Sequence, residues 1–389
     1  MNFFGQQRRK LLKFSLIGGL GVFVSNHWLS TPARAASLAR AARSGLLPPD
    51  INGIRLPKGF SSRVIARSGQ TTFGYAWHAA PDGGATFATQ DKGWIYVSNS
   101  ELDHQRGGVG AIRFSRQGEM TDAYSILQHT TRNCAGGHTP WQTWLSCEEY
   151  DQGQVWECDP FGVQTARLRP ALGTFSHEAV AVDVHHKQLY LTEDKPDGCL
   201  YRYTGNTHDA AGWPGLDDGF LEVAEVIGGP VGKVRWHPLP DPLAIHAPTR
   251  YQIKQRTAFD GGEGIWYHAG IVYFTTKGDD RIWAYNTLNK RLSIVYNAAF
   301  YPNPVLTGVD NITANTTGEL LVAEDGGDMQ IVVVAPDTVM PLLQIVDHDR
   351  SEITGPSFNP DGTRLYFSSQ RGASGKSQDG VTFEITGPF

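Results

Sequence analysis

Cysteine is scarce in this chain of 389 residues. There are four, at 134, 147, 158 and 199, and their spacing is not that of a zinc finger. Long apolar runs are missing as well: the segment 14–24 is too short to span a bilayer. Basic residues do not outnumber acidic ones, 34 against 39, so the net charge of −5 invites neither nucleic acid nor an anionic membrane. Two common hydrolase signatures, H-E-x-x-H on a helix and the G-x-S-x-G elbow, are absent. Helical periodicity is rare. What is plentiful is Gly (44), Pro (22) and aromatic side chains (11%), a composition that points to one large all-β unit.

Within that unit a short apolar strand runs six times into an acidic or polar tip. The copies are WIYVSNSE (94–101), TWLSCEE (143–149), QLYLTED (188–194), IVYFTTKGD (271–279), LLVAED (320–325) and RLYFSSQRG (364–372). Successive tips are 48, 45, 85, 46 and 46 residues apart, which is the length of a propeller blade. A second strand precedes each tip and reads as the innermost of its blade. The fold expected is all-β, a six-bladed β-propeller with a central metal site. The last blade lacks a fourth strand, and SRVIARS (62–68) is expected to close the ring. The long step holds 204–256, read as an insertion from the third blade, with a degenerate seventh blade as the alternative.

The N-terminus is set apart. Arg8-Arg9-Lys10, the apolar segment 14–24 and Ala33-Arg34-Ala35 together read as a twin-arginine export signal over 1–35, a membrane anchor being the alternative. The chain then divides into 1–35, a linker at 36–59 and the propeller at 60–389. Cleavage after Ala35 removes five positive charges and no negative ones, leaving 29 basic against 39 acidic residues and a net charge of −10. The expected location is the periplasm or the cell exterior, with no stable membrane partner beyond the export machinery. Cys147 and Cys158 flank a hairpin and are candidates for a disulfide.

In an antiparallel blade the start of the inner strand and the end of its neighbour lie on one face. Inner starts carry Cys134, Glu178, Glu263, Asp310 and Glu352. Neighbouring ends carry Glu101, Glu148, Glu149, Glu193, Asp194, Asp279, Glu324 and Asp325. Carboxylates so packed cannot all ionise without a cation, so this mouth is read as a metal site. Carboxylate oxygens favour calcium, whereas the thiolate of Cys134 points to a transition metal such as iron. A mixed iron–calcium cluster reconciles the two. Such a cluster suits hydrolysis of phosphate esters, with rim cations to stabilise charge. Lys277, Arg281 and Arg371 are the candidates for that catalytic role, with Lys195 beside them. His177 is read as packing against its blade rather than as a ligand.

The motifs NCAGGHTPWQTWLSCEE (133–149), FSHEAVAVD (175–183), YLTED (190–194), FDGGEGIWY (259–267), GVDNI (308–312) and SEITGPSFNPDGTRLYFSSQRG (351–372) resemble the PhoX family of bacterial alkaline phosphatases. The resemblance covers nearly all of the chain after the signal. It implies an exported six-bladed propeller with an iron–calcium cluster that hydrolyses phosphomonoesters, the partner being a small-molecule phosphate ester. It also implies metal ligation by Cys134, Glu178, Asp194, Glu263, Asp310 and Glu352, to which the ring argument adds Glu148 and Glu149. One departure stands out. The family's phosphate-contacting arginine, two residues before the glutamate matched by Glu263, corresponds here to Gly261, with Arg256 nearby. A metal-stabilised binding propeller and a calcium-dependent lactonase or esterase are the alternative functions.

Overall fold

The structure, a computed structural model, describes residues 37–389, so the proposed signal at 1–35 lies outside the described residues. The chain is almost entirely antiparallel sheet, arranged like a propeller around one axis. Six innermost strands surround that axis: β1 (Pro81–Ala88), β2 (Asn133–His138), β3 (His177–Asp183), β4 (Gly262–His268), β5 (Val309–Ala314) and β6 (Ile353–Phe358). Each contacts the next, and β6 contacts β1, so the ring is closed.

The sheets built on these six strands number five, not six. Four are separate, built outward from β1, β2, β5 and β6. The repeats that begin at β3 and β4 are fused into one sheet of nine strands. The expectation of six separate blades is corrected accordingly. The joining element is the strand Gly232–Pro238, inside the segment read as an insertion. It pairs with Gly219–Ile227 on one side and meets Arg291–Asn297 on the other, through Gly232↔Leu292 and Lys233↔Arg291. An edge strand carries unpaired peptide groups, and here the neighbouring edge satisfies some of them.

The two ends of the domain meet as the pattern implied. Ser61–Arg67 pairs with Val381–Thr386 and completes the sheet built on β6. The stretch preceding it, expected as a linker, is docked. Helix α1 (Ser37–Arg43) buries Leu38, Ala39 and Ala42 against the sheet built on β5, and the Leu38 and Ala39 amides donate to the buried Glu319 carboxylate at 3.2 and 3.0 Å. Ile54–Arg55 then adds a fifth strand to that sheet. Apolar clusters fill the wedges between sheets, and a helix long and apolar enough to cross a membrane is absent from the described residues.

The hairpin register removes the candidate disulfide. Cys147 faces Val155 and Cys158 faces Trp144, three rungs away. Cys147 packs with Leu145 and Val155 in one wedge, while Cys158 packs with Trp144 in the next. All four cysteines are free.

Two backbone features shape the centre. Each inner strand carries a β-bulge near its start, with four residues set against three of the partner strand, as in Pro81–Gly84 against Ser98–Ser100. A bulge breaks the alternation of side chains and re-aims the residue it contains. At and just past the bulges, glycine lets neighbouring inner strands touch by backbone: a Cβ on Gly264 would stand 2.6 Å from Ile312 N, and Gly83 and Gly137 meet Ala135 and Val180 more closely still. Neighbouring inner strands are therefore packed backbone to backbone at and just past the bulges that carry the acidic residues.

Candidate metal centre at the acidic mouth

Asp82, Cys134, Glu178, Glu263 and Asp310 each occupy the second position of their inner strand, inside its bulge. Glu352 stands just before β6 and bridges to Asp325. Four sets of ligand-capable atoms result, each set lying within 4.8 Å of one another: Cys134–Glu149–Glu178, Glu178–Glu263–Asp310, Asp310–Asp325–Glu352 and Glu352–Asp82–Glu101. Because Glu178, Asp310 and Glu352 are shared, the four sets form one continuous arc. Asp82, Glu178, Glu263, Asp310 and Glu352 are all buried.

So many carboxylates packed together, most of them buried, repel one another. Burial, then Glu101, pushes Asp82 up to about 7. Burial followed by Glu101 and Asp194 pushes Glu149 up to about 9. Glu178, Glu263, Asp310 and Glu352 are driven well above the usual carboxylate range, chiefly by burial, and the Cys134 thiol well above its own. The Cys134 thiol donates to Glu178 Oε1 at 3.3 Å, while Glu178 Oε2 is buried without any hydrogen-bond partner. A buried carboxylate oxygen with no donor is costly unless a cation reaches it. The donors fit metal ions: hard oxygens all along the arc, and a single sulfur at one end.

Not every expected residue joins the arc. Glu148 turns away and accepts the amides of Thr131 (3.0 Å) and Gln154 (3.4 Å), which stiffens the adjoining turns. It and Glu149 are adjacent, and alternation sends one inward and the other out. Asp194 flanks the arc, and its charge helps to raise both Glu149 and Glu263. Of the proposed cations, Lys277 pairs with Glu263 at 2.8 Å and Asp325 at 3.4 Å, and Arg371 with Glu352 at 2.6 Å and Asp325 at 3.6 Å. Arg281 instead pairs with Asp279 at 2.9 Å and lies over Trp283, and Lys195 pairs with Asp151 at 3.0 Å. His177 is buried against Phe175 with Nε2 3.1 Å from the Gly173 carbonyl, a packing role.

Two participants escape a reading of the sequence. Asp82 was hidden in a turn-like PDGG, although an acidic residue followed by glycine also marks Glu263. Gln370 donates through Nε2 to Asp82 at 2.5 Å and Glu101 at 2.8 Å, and its Oε1 accepts from Arg371 Nη1 at 2.7 Å. Gly261 has φ +68°, and a Cβ there would stand 3.3 Å from Asp194 Oδ1 and 3.8 Å from Lys277 Cβ. A side chain at this position is strained and crowded. Arg256 pairs with Asp197 at 3.4 Å and lies beside Tyr251, outside the arc.

Comparison with known proteins gives a family and a fold. The sequence model of the family described as alkaline phosphatase PhoX matches residues 89–293, more than half of the chain. Among solved structures, Pseudomonas fluorescens PhoX in complex with vanadate, a transition-state analogue, superposes with a TM-score of 0.70 at 18% identity, covering 88% of this chain and 97% of that one. XC5397 from Xanthomonas campestris, a gluconolactonase, superposes with a TM-score of 0.51 at 13% identity, covering 88% and 98%. At such identities these likenesses concern the fold. No curated protein sequence matches.

Proposed function

The chain belongs to the PhoX alkaline phosphatase family, and from that premise we propose that it is an exported, metal-dependent phosphomonoesterase acting at the acidic mouth. The observation that carries the reading is the continuous arc of four ligand sets with two cations, Lys277 and Arg371, converging on Asp325 at one side. The vanadate complex of the Pseudomonas fluorescens protein supports it, since that fold holds an analogue of a phosphoryl transition state.

In this proposal Cys134, with Glu149 and Glu178, would hold iron, and the remaining carboxylates of the arc would hold calcium, with Asp194 at the flank. When bound, such ions neutralise phosphoryl oxygens and favour attack by water near neutral pH. The chain's own residues do the rest. Lys277 and Arg371 bind the phosphate ester and offset the charge that gathers on its oxygens. Gln370 holds Asp82 and Glu101 in place and orients Arg371. With an arginine at Gly261 disfavoured by the left-handed backbone, Lys277, whose backbone amide donates to the Gly261 carbonyl at 2.8 Å, supplies the cation at that edge.

A lactonase using a single calcium ion would leave most of the arc without purpose, because one ion takes six to eight oxygens in all. The test is hydrolysis of p-nitrophenyl phosphate by protein purified without chelator. Turnover that is lost on chelation and restored by iron with calcium is expected. Metal-replete protein that hydrolyses no phosphomonoester would refute the reading and favour a binding propeller. Export to the periplasm or beyond is tested by fractionating cells that express the full chain.

A further inference from the structure

At the end of the second repeat remote from the mouth lies a cleft of about 500 Å³, within the roughly 300–1,000 Å³ typical of small-molecule sites. The strand Trp144–Glu148 separates the two places, a span of roughly 15–20 Å. The proposed phosphatase uses none of the residues in this cleft.

Three of its four charged groups are already committed within the protein. Glu157 accepts from Trp141 Nε1 and Thr143 Oγ1 at 2.7 Å each and from Arg169 Nε at 2.8 Å. Arg169 also pairs with Asp217. Asp159 accepts the amides of Phe161 (2.9 Å), Val163 (3.1 Å) and Gln164 (2.9 Å), and so fixes the loop 159–166. What remains uncommitted is of another kind. The exposed side chains of Gln142, Gln164, Thr165 and Arg167 have no hydrogen-bond or ion-pair partner among the described residues. Beside them Phe161 and Val163 are 40% and 84% exposed on a loop that Asp159 holds rigid. Trp141 is fixed through its Nε1 and lies 5.7 Å from Trp213, whose outer face is covered by Lys187.

We propose that this cleft binds a segment of neutral oligosaccharide. Pyranose rings present apolar C–H faces to flat or apolar side chains and vicinal hydroxyls to amides, hydroxyls and guanidinium groups. Trp141, Phe161 and Val163 provide the first kind of contact, and Gln142, Gln164, Thr165 and Arg167 the second. Glu157 is paired with Arg169 and Asp159 is held by backbone amides, so among the described residues Arg167 is the one charged side chain of the lining left free to donate to a hydroxyl. A glycan held here leaves the acidic mouth open, so the site tethers the protein to a polysaccharide surface without blocking it.

The test is saturation-transfer NMR on the full chain with cellohexaose, maltohexaose and chitohexaose. Transfer to at least one is expected, with affinity weakened roughly tenfold or more in Trp141→Leu and in Phe161→Ser. Circular dichroism confirms that each variant is folded, and the exposed Phe161→Ser carries the test if Trp141→Leu is not. No transfer to any of the three sugars overturns the proposal, and so does transfer that Phe161→Ser leaves unchanged.

Discussion

Stripping the metals should reverse the way this protein responds to pH. Without a cation between them, the carboxylates of the arc keep protons that the unfolded chain releases. Asp82 rises from 3.8 to about 7 and is 1% exposed, so solvent screening does not reduce the effect. A shift of about three pK units at about 1.4 kcal/mol each amounts to about 4 kcal/mol. A carboxyl whose pKa is raised by folding contributes stability below its unfolded value and loses it as pH rises through the folded value. That contribution is present near pH 4 and gone above pH 7. Glu149, raised to about 9, extends the window upward, although it shares Glu101 with Asp82 and the two do not simply add. Against a total stability of roughly 5–15 kcal/mol, this is a large fraction. The assay is urea unfolding followed by tryptophan fluorescence at pH 5, 7 and 9, after chelation and dialysis into metal-free buffer. The stripped protein should become more stable from pH 9 to pH 5, and the metal-loaded protein less stable, because protons compete with cations for the same oxygens. A stripped protein whose stability is flat or falls on acidification would show that the carboxylates are not packed as described.

Lys277→Met should lower kcat/KM for p-nitrophenyl phosphate by roughly 100-fold, while Arg281→Met, which removes only the Asp279 pair, should leave it within error. Glu178→Gln should abolish iron uptake, as Glu178 belongs to two ligand sets. Glu148→Gln should keep full metal content yet lower stability by about 1–3 kcal/mol, seen as a shifted urea midpoint. Gly261→Ala should destabilise the fold by about 1–2 kcal/mol through its left-handed backbone; an unchanged midpoint would contradict the crowding described.

Much of this architecture was legible because strands alternate and propellers repeat. The acidic tips, and the acidic starts at Glu178, Glu263 and Asp310, are marked by spacing, which leaves Glu148 beside Glu149, Glu193 beside Asp194 and Glu324 beside Asp325 undivided. The closure of the ring by Ser61–Arg67 follows from counting strands. Other features depend on contacts that no local pattern carries. The fusion of two repeats rests on two rungs between strands nearly sixty residues apart. Glu148 and Glu149 are indistinguishable as letters, and only the register at Asn133 decides which faces the mouth. Asp82 was missed because P-D-G-G reads as a turn, whereas here those residues form a bulge at the start of a strand. Arg281 and Arg371 are equally near a tip in sequence, yet Asp279 captures one and Glu352 the other.

The most direct test of the account is elemental analysis, by mass spectrometry, of the processed protein purified without chelator. Iron together with several calcium ions per chain is the predicted result, with the iron lost in Cys134→Ser. Calcium without iron, or a chain carrying neither metal, would contradict the mixed cluster and the phosphatase built on it.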